Sequence, residues 1–242
     1  MQNVFFTILM LFTALQPINK ENYKPIVVLE LFTSQGCSSC PSADALLGDV
    51  SATYSNTNVI TLSYHVDYWN YIGWKDPFSQ SDFSDKQRAY SRKFFSSSIY
   101  TPQVVVNGKE HFVGSNKGVM NAKLKMYLNK KSENEVFISN IHKSKDVVKL
   151  NYKVNGSVKN KELRVALVIK ERETAINRGE NRNRVLKNSN IVVEERYVKL
   201  DLQTGQTEIK IPKLVLDTDD LSVIVLVQND DLDITGGSQS VL

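Results

Sequence analysis

The chain has 242 residues, of which 41% are hydrophobic, and its 30 basic and 26 acidic residues give a net charge of +4. This length allows a sizeable core in one large or two small domains, and we expect two domains. Because the two signs of charge are interspersed, an electrostatic nucleic-acid surface is excluded, and no nucleic acid is expected as a partner.

The chain begins with an apolar stretch at residues 4–15. It is shorter than the ~20 residues that cross a bilayer and is typical of a signal-peptide core. We therefore expect residues 1–22 to be a signal peptide and link, with no stable membrane anchor afterwards. The mature chain is expected to be secreted or periplasmic, in an oxidising compartment where a disulfide persists.

The cysteines follow a short, β-forming apolar run at residues 26–32, which predicts a buried strand. Cys37 and Cys40 have the spacing C-x-x-C and are the only cysteines in the chain. Apolar residues then recur at helical spacing, which predicts a helix whose first turn contains Cys40 and Pro41. A thiol at a helix N-terminus is stabilised as a thiolate, with a pKa below the usual ~8.5. This is the environment of a redox cysteine.

Other uses of the cysteine pair remain open. A structural zinc site is disfavoured because it needs four ligands and there is no second cysteine pair. Thiolates with an added histidine, His65 or His111, suit copper(I). The pair can also form a disulfide that only stabilises the fold. We expect no resident metal and no cofactor.

Residues 58–65 form a second β-forming run, which completes a strand–helix–strand unit. Such units are normally parallel, so both strands end at the same edge of the sheet, where ligands bind in open α/β sheets. His65 and Asp67 are therefore expected near Cys37. For His65 the alternatives are a role in the site and a hydrogen bond to a backbone carbonyl.

Residues 66–78 form a connection rich in aromatic side chains that contains both tryptophans, Trp69 and Trp74. Dense aromatic residues in a loop indicate either a lid over a small core or a peptide-binding rim beside the thiols. In the second interpretation, Trp69 and Trp74 contact the substrate. Ser84 and Gln87 then have the spacing of a capping box, which predicts a helix from Ser84 to about Phe95.

A proline opens the next predicted strand, and Thr101–Pro102 is a candidate cis bond. Asn107 and Gly108 predict a type I′ turn, after which residues 110–113 return antiparallel. Ser115 is the predicted cap of the following helix.

Strand-like patterns dominate the rest of the chain, with turn signals between them. They predict a small antiparallel β-sandwich from the segments 148–154, 163–169, 198–202, 209–211 and 221–228. A long charged hairpin loop is predicted at residues 172–190, either solvated or docked on the first domain.

The order of strand, C-x-x-C, helix, strand and Thr-Pro hairpin resembles the thioredoxin fold. More closely, the chain is similar to a thioredoxin-like secreted family catalogued as domain of unknown function 1223. The resemblance covers nearly all of the mature chain and is carried by residues 30–41, 64–69, 73–78, 100–103, 178–181 and 227–228.

The thioredoxin resemblance implies roles for three residues outside the cysteine pair. Pro102 is expected to be a cis-proline that faces the cysteines, and its backbone, with Thr101, guides an extended peptide. Glu30 is the nearest match to the acidic proton acceptor of thioredoxins, although Gly36 adds a residue between it and the cysteines.

Together these observations predict an α+β chain: a thioredoxin-like α/β domain at residues 23–131, followed by a small antiparallel β-sandwich at residues 132–242. The predicted function is extracytoplasmic thiol-disulfide exchange with protein or peptide thiols and disulfides. Cys37 would attack as the more exposed thiol, Cys40 would resolve the mixed disulfide, and Glu30 or His65 would move the proton. The alternatives are a copper carrier and a non-catalytic envelope module with a structural disulfide.

Overall fold

The computed structural model describes residues 23–55 and 58–242. The predicted signal peptide and link at residues 1–22 lie outside the described residues. The described chain is a mixed α/β structure with a large mixed sheet. Among its residues, no helix is long and apolar enough to span a membrane.

The first half follows the predicted order of elements. It comprises β1 (Val27–Thr33), α1 (Pro41–Thr53), β2 (Val59–His65), a short 3₁₀ helix (Asn70–Ile72), α2 (Ser81–Lys93), β3 (Gln103–Val106), β4 (Glu110–Val113) and α3 (Lys117–Leu128).

Two predicted helix starts are wrong. The N-cap of α2 is Gln80, and Ser84 and Gln87 are buried inside the helix. Their side chains bond other segments, since Ser84 Oγ donates to Asp67 Oδ1 at 2.5 Å and Gln87 Nε2 donates to the Tyr100 carbonyl at 2.8 Å. The cap of α3 is Asn116, one residue after the predicted Ser115, because its side chain accepts from the Val119 N–H.

The second half consists of strands. They are β5 (Glu135–Lys143), β6 (Val147–Asn155), β7 (Lys161–Ala175), β8 (Val185–Lys199), β9 (Thr204–Lys210), β10 (Leu221–Asn229) and β11 (Ile234–Val241). The sequence patterns did not predict β5 and β11.

About half of the predicted hairpin loop at residues 172–190 is strand. β7 and β8 pair with each other as far as Ala175 and Val185, which leaves only residues 176–184 as the connecting tip. Pairing satisfies the backbone N–H and C=O groups of both strands, so charged side chains there do not prevent a ladder.

Strands from both halves join in one eight-stranded sheet of order β11-β10-β7-β8-β2-β1-β3-β4. β1 and β2 are parallel, as predicted, and Thr33 lies opposite His65 at their carboxyl ends. β8 joins the sheet beside β2, where Ser63 pairs with Ile191. The sheet is therefore continuous across the boundary predicted from sequence.

Helices cover the two faces of the sheet around β1. Leu29 and Leu31 pack with the apolar faces of α1 and α3 in one hydrophobic cluster. Val28 and Phe32 alternate with them and pack with α2 residues on the opposite face. A second sheet, of order β5-β6-β9, shares a third cluster with β7, β8 and β10. The ends of β1 and β2 thus lie directly beside the start of α1.

Candidate functional site

The two cysteines lie in the tight turn between β1 and α1. The Cys37 N–H donates to the Ser34 carbonyl at 3.1 Å, and the Cys40 N–H donates to the Cys37 carbonyl at 3.3 Å. Cys40 is the N-cap of α1 and Pro41 opens the helix, as the sequence predicts. Cys37 and Cys40 form a disulfide, with their Cα atoms 5.4 Å apart.

The expectation that Cys37 is the more exposed thiol is wrong, because both cysteines are fully buried. Ser38 and Ser39, between them, are exposed. The turn therefore reaches the surface through its two serines while both sulfur atoms are covered.

The cover is the tip of the β7–β8 hairpin. The Asn181 side-chain amide donates to the carbonyls of Gln35 and Cys37, each at 2.9 Å. The Ser38 N–H donates to the Glu180 carboxylate at 3.1 Å. Of the two alternatives for this charged segment, the structure shows docking rather than solvation. The contact holds the hairpin tip against the turn that contains the buried Cys37.

The aromatic connection packs against the other side of the turn. A Cβ atom at Gly36 would lie 3.2 Å from the Trp69 Cβ, so a larger residue at this position would push Trp69 away by a few tenths of an ångström. The Trp69 Nε1–H donates to Thr101 Oγ1 at 2.7 Å, and the Trp74 Nε1–H donates to Gln35 Oε1 at 3.1 Å. Both tryptophans thus bond segments of the predicted site, and Trp69 links the turn to the start of β3.

The Thr101–Pro102 peptide bond is cis, as expected. Pro102 is buried, and its carbonyl accepts a hydrogen bond from the Gly114 N–H at 3.0 Å. The type I′ turn that follows β3 is also present, with positive φ at both Asn107 and Gly108.

His65 is bonded to a carboxylate that also holds the cysteine turn. His65 Nδ1 lies 2.7 Å from Asp76 Oδ2, and this same oxygen accepts from the Gln35 N–H at 2.8 Å. Burial lowers the pKa of His65. The charge of Asp76 and the hydrogen bond to it raise the pKa by more, so the net pKa is above the usual 6.5. Burial raises the pKa of Asp76, and His65 lowers it to a net value below the ordinary one. The pair is therefore a buried ion pair beside the turn.

Asp44 is a second buried acid, one helical turn after Cys40 on α1. Thr33 Oγ1 donates to Asp44 Oδ2 at 3.0 Å. Within the described parts of the chain, Asp44 Oδ1 and His65 Nε2 are buried without a hydrogen-bond partner. Burial raises the pKa of Asp44 to about 7, although the charge of His65 and the hydrogen bond from Thr33 oppose this shift.

Glu30 is not placed for proton transfer at the disulfide. It faces α2 with Val28 and Phe32, on the side of the sheet opposite α1. Its carboxylate accepts from the Arg164 guanidinium at 2.5 Å and from the Tyr90 hydroxyl at 2.5 Å. Because β-strand side chains alternate between faces, this even-numbered position cannot share the α1 face with Thr33.

The remaining predicted groups have other partners. Asp67 bonds Ser84 rather than the cysteine turn, and His111 lies 2.9 Å from the Tyr100 hydroxyl. In the portion of the chain that the structure describes, no three His, Cys, Asp or Glu residues are grouped to hold a metal ion.

Sequence reasoning missed five polar residues that surround the turn: Gln35, Asp44, Asp76, Glu180 and Asn181. The sequence position of Asp44 indicated that it is buried, because Asp44 lies three residues before Leu47 and thus on the apolar face of α1. Four of the five, all except Asp44, lie in segments that carry the family resemblance.

A comparison with solved structures finds a match over most of the chain. The crystal structure of a protein from Agrobacterium tumefaciens is 26% identical, with a TM-score of 0.63 over 90% of this chain and 94% of that chain. A DUF3823 family protein from Bacteroides ovatus is 21% identical and covers 44% of this chain and 51% of that chain, with a TM-score of 0.26. A β-glucosidase from Kluyveromyces marxianus is 13% identical over 46% of this chain and 14% of that chain, with a TM-score of 0.23. The last two likenesses are too weak to support an argument.

No curated protein matches the sequence. A family model described as "Protein of unknown function (DUF1223)" matches residues 28–228, which is most of the chain. The chain therefore belongs to this family.

Proposed function

We propose that the chain is an extracytoplasmic thiol-disulfide oxidoreductase that uses the Cys37–Cys40 pair. One observation carries the proposal: the turn that holds the disulfide is bonded to the buried carboxylate of Asp76, and two buried titratable groups beside it, Asp44 and His65, each have an atom without a hydrogen-bond partner among the described residues. Unpartnered buried polar atoms are costly to a fold, and titratable groups with perturbed pKa values concentrate at functional sites.

In the proposed reaction, the Cys37 thiolate attacks a disulfide of a protein or peptide substrate. One substrate sulfur leaves as a thiolate, and the other stays bonded to Cys37 as a mixed disulfide. The Cys40 thiolate then attacks the Cys37 sulfur, which re-forms the Cys37–Cys40 disulfide and releases the reduced substrate. The oxidising direction is the reverse of these steps.

The same proposal interprets residues 23–131 as a thioredoxin-like domain and residues 132–242 as an antiparallel β-sandwich. Trp69, Thr101 and Pro102 then form the side of the site where an extended substrate peptide lies. The Trp69–Thr101 hydrogen bond supports this by fixing the aromatic connection to the start of β3.

Exchange at Cys37 also requires the hairpin tip to move. Both sulfur atoms are covered in the disulfide form, and Glu180 and Asn181 are bonded to the turn that contains Cys37. The substrate must therefore displace these side chains before its sulfur reaches Cys37.

The complete burial of the cysteines favours a second candidate. A non-catalytic envelope module would need the disulfide only to stabilise the fold, and a buried, covered disulfide suits that purpose. The reduction potential separates the two candidates. Structural disulfides lie below about −300 mV, whereas catalytic pairs lie between roughly −270 and −120 mV.

A trapping experiment tests the proposed chemistry directly. Cys40→Ser, which lacks the resolving thiol, is expected to accumulate mixed disulfides with envelope proteins, and Cys37→Ser is the matched control that does not. Both variants are purified after acid quenching and compared on non-reducing gels with and without dithiothreitol. If neither carries reducible adducts and the wild-type disulfide resists a glutathione redox titration, the structural role replaces the catalytic one.

A further inference from the structure

Asp44 and Cys40 occupy neighbouring positions on one face of α1. They are four residues apart, and the Asp44 N–H donates to the Cys40 carbonyl at 3.0 Å in the first turn of the helix. Residues at this spacing have Cβ atoms about 5–6 Å apart. Both residues are buried, so a carboxyl group and the resolving cysteine lie on the same buried face of the helix.

The Asp44 carboxyl has one oxygen free to accept a proton. Oδ2 accepts from Thr33 Oγ1, whereas Oδ1 is buried without a partner among residues 23–55 and 58–242. An apolar residue at position 44 would avoid the cost of burying that oxygen. Packing alone therefore does not explain an aspartate here.

The groups that face Asp44 come from each element packed against it. His65 on β2 attracts its negative charge, and Asp76 in the aromatic connection repels it. Thr33 on β1 donates a hydrogen bond that favours the charged form, and the side chain of Asn188 on β8 also favours it. Together with burial these groups place the pKa of Asp44 at about 7, within reach of a thiol at neutral pH.

We propose that Asp44 is the proton acceptor for the Cys40 thiol when Cys40 resolves the mixed disulfide. The inference rests on the proposed exchange reaction. The Cys40 S–H proton passes to Asp44 Oδ1, and the Cys40 sulfur forms a bond to the Cys37 sulfur. The bond between Cys37 and the substrate sulfur breaks, and its electron pair leaves with the substrate thiolate. The Asp44 carboxylic acid later returns its proton to solvent.

A two-step thiol assay isolates this proton transfer. The reduced chain is mixed with 5,5′-dithiobis(2-nitrobenzoic acid) in a stopped-flow instrument between pH 5.5 and 9.5. The first release of thionitrobenzoate reports attack by Cys37, and the second reports resolution by Cys40. In Asp44→Asn the second release is expected to slow at least about tenfold at pH 6–7, while the first changes less than about threefold.

The pH profile distinguishes proton transfer from a structural effect. Above the ordinary thiol pKa of ~8.5, hydroxide removes the proton, so the rates of Asp44→Asn and wild type should converge. Asp49→Asn, an exposed acid on the same helix, is the control and should follow the wild-type profile. Equal second-release rates for Asp44→Asn and wild type at every pH would overturn the inference.

A second variant tests the role of Asp44 if Asp44→Asn does not fold. Thr33→Val removes the hydrogen bond that lowers the pKa of Asp44, so the rise of the second-release rate should move to higher pH. An unmoved profile in folded Thr33→Val would also contradict the inference. The redox titration and the trapping experiment test the exchange reaction separately, so a failure of that reaction is distinguishable from a failure of Asp44.

Discussion

Two buried clusters of charged residues lie on opposite faces of the sheet, and they differ in how completely they are paired. On the α2 face, Arg164 bonds Glu30, the Tyr64 hydroxyl at 2.8 Å and Glu195 at 3.0 Å, and Lys86 bonds Glu195 at 2.7 Å. Both oxygens of Glu30 have a partner, since Oε2 accepts from the Tyr90 hydroxyl. The negative charges of Glu30 and Glu195 are thus balanced by the positive charges of Arg164 and Lys86.

The cluster on the α1 face has Asp44, His65 and Asp76, and it is incomplete. Over the residues that the structure covers, one atom each of Asp44 and His65 lacks a partner. A completely paired cluster fixes a single arrangement of the chain, and here it joins Glu30 of the first half to Arg164 of the second. The incomplete cluster lies under the disulfide and retains titratable atoms that can exchange a proton.

The largest expected effect comes from breaking the complete cluster. Arg164→Leu leaves Glu30 buried without its cation and leaves Glu195 with Lys86 alone, which should lower the free energy of unfolding by about 3–5 kcal/mol. Urea denaturation measures the loss. The control Arg88→Ala removes an exposed ion pair with Asp85 and should change the free energy by less than about 1 kcal/mol. A loss below about 1 kcal/mol for Arg164→Leu would show that the α2-face cluster does not hold the halves together.

A substitution in the incomplete cluster is expected to raise the free energy of unfolding at high pH, not to lower it. Burial raises the pKa of Asp44 from 3.8 to about 7, so the unfolded state loses this proton at lower pH than the folded state. The folded state is therefore destabilised progressively as the pH rises from about 4 to 7. Asp44→Asn should remove this loss of stability. The change in free energy of unfolding that the substitution causes should be more favourable at pH 8 than at pH 4 by on the order of 2–4 kcal/mol. Urea denaturation of the variant and wild type at both pH values measures this difference. An equal destabilisation of the variant at pH 4 and pH 8 would contradict the prediction.

The smallest expected effect concerns the cover over the disulfide. Asn181→Ala removes two hydrogen bonds to the cysteine turn and leaves the Gln35 and Cys37 carbonyls without these donors. Exposing the disulfide should then be easier by about 1–2 kcal/mol, which corresponds to about tenfold faster reduction by dithiothreitol. Arg182→Ala, an exposed side chain on the same tip, is the control. Reduction of Asn181→Ala at the wild-type rate would mean that the tip does not limit access.

The sequence by itself determined the features that depend on neighbouring residues. The cysteine turn at the start of α1 follows from a β-forming run and a helical apolar pattern on its two sides. The Asn107–Gly108 turn follows from residues that tolerate positive φ. The placement of His65 opposite Thr33 follows from the parallel geometry of a strand–helix–strand unit.

Only the tertiary structure decided which distant polar residues meet. Asn181 reaches the Cys37 carbonyl across 144 positions of sequence, and Arg164 reaches Glu30 across 134. The first contact docks the hairpin tip on the cysteine turn, where Cys37 is buried against the sequence-based expectation. The second joins Glu30 to the second half of the chain. Apolar periodicity reveals which face of an element is buried, but any buried carboxylate or amide can be satisfied by many partners. Which hydrogen-bond partner a buried group has depends on how β8 joins the sheet beside β2, and no local pattern encodes that pairing.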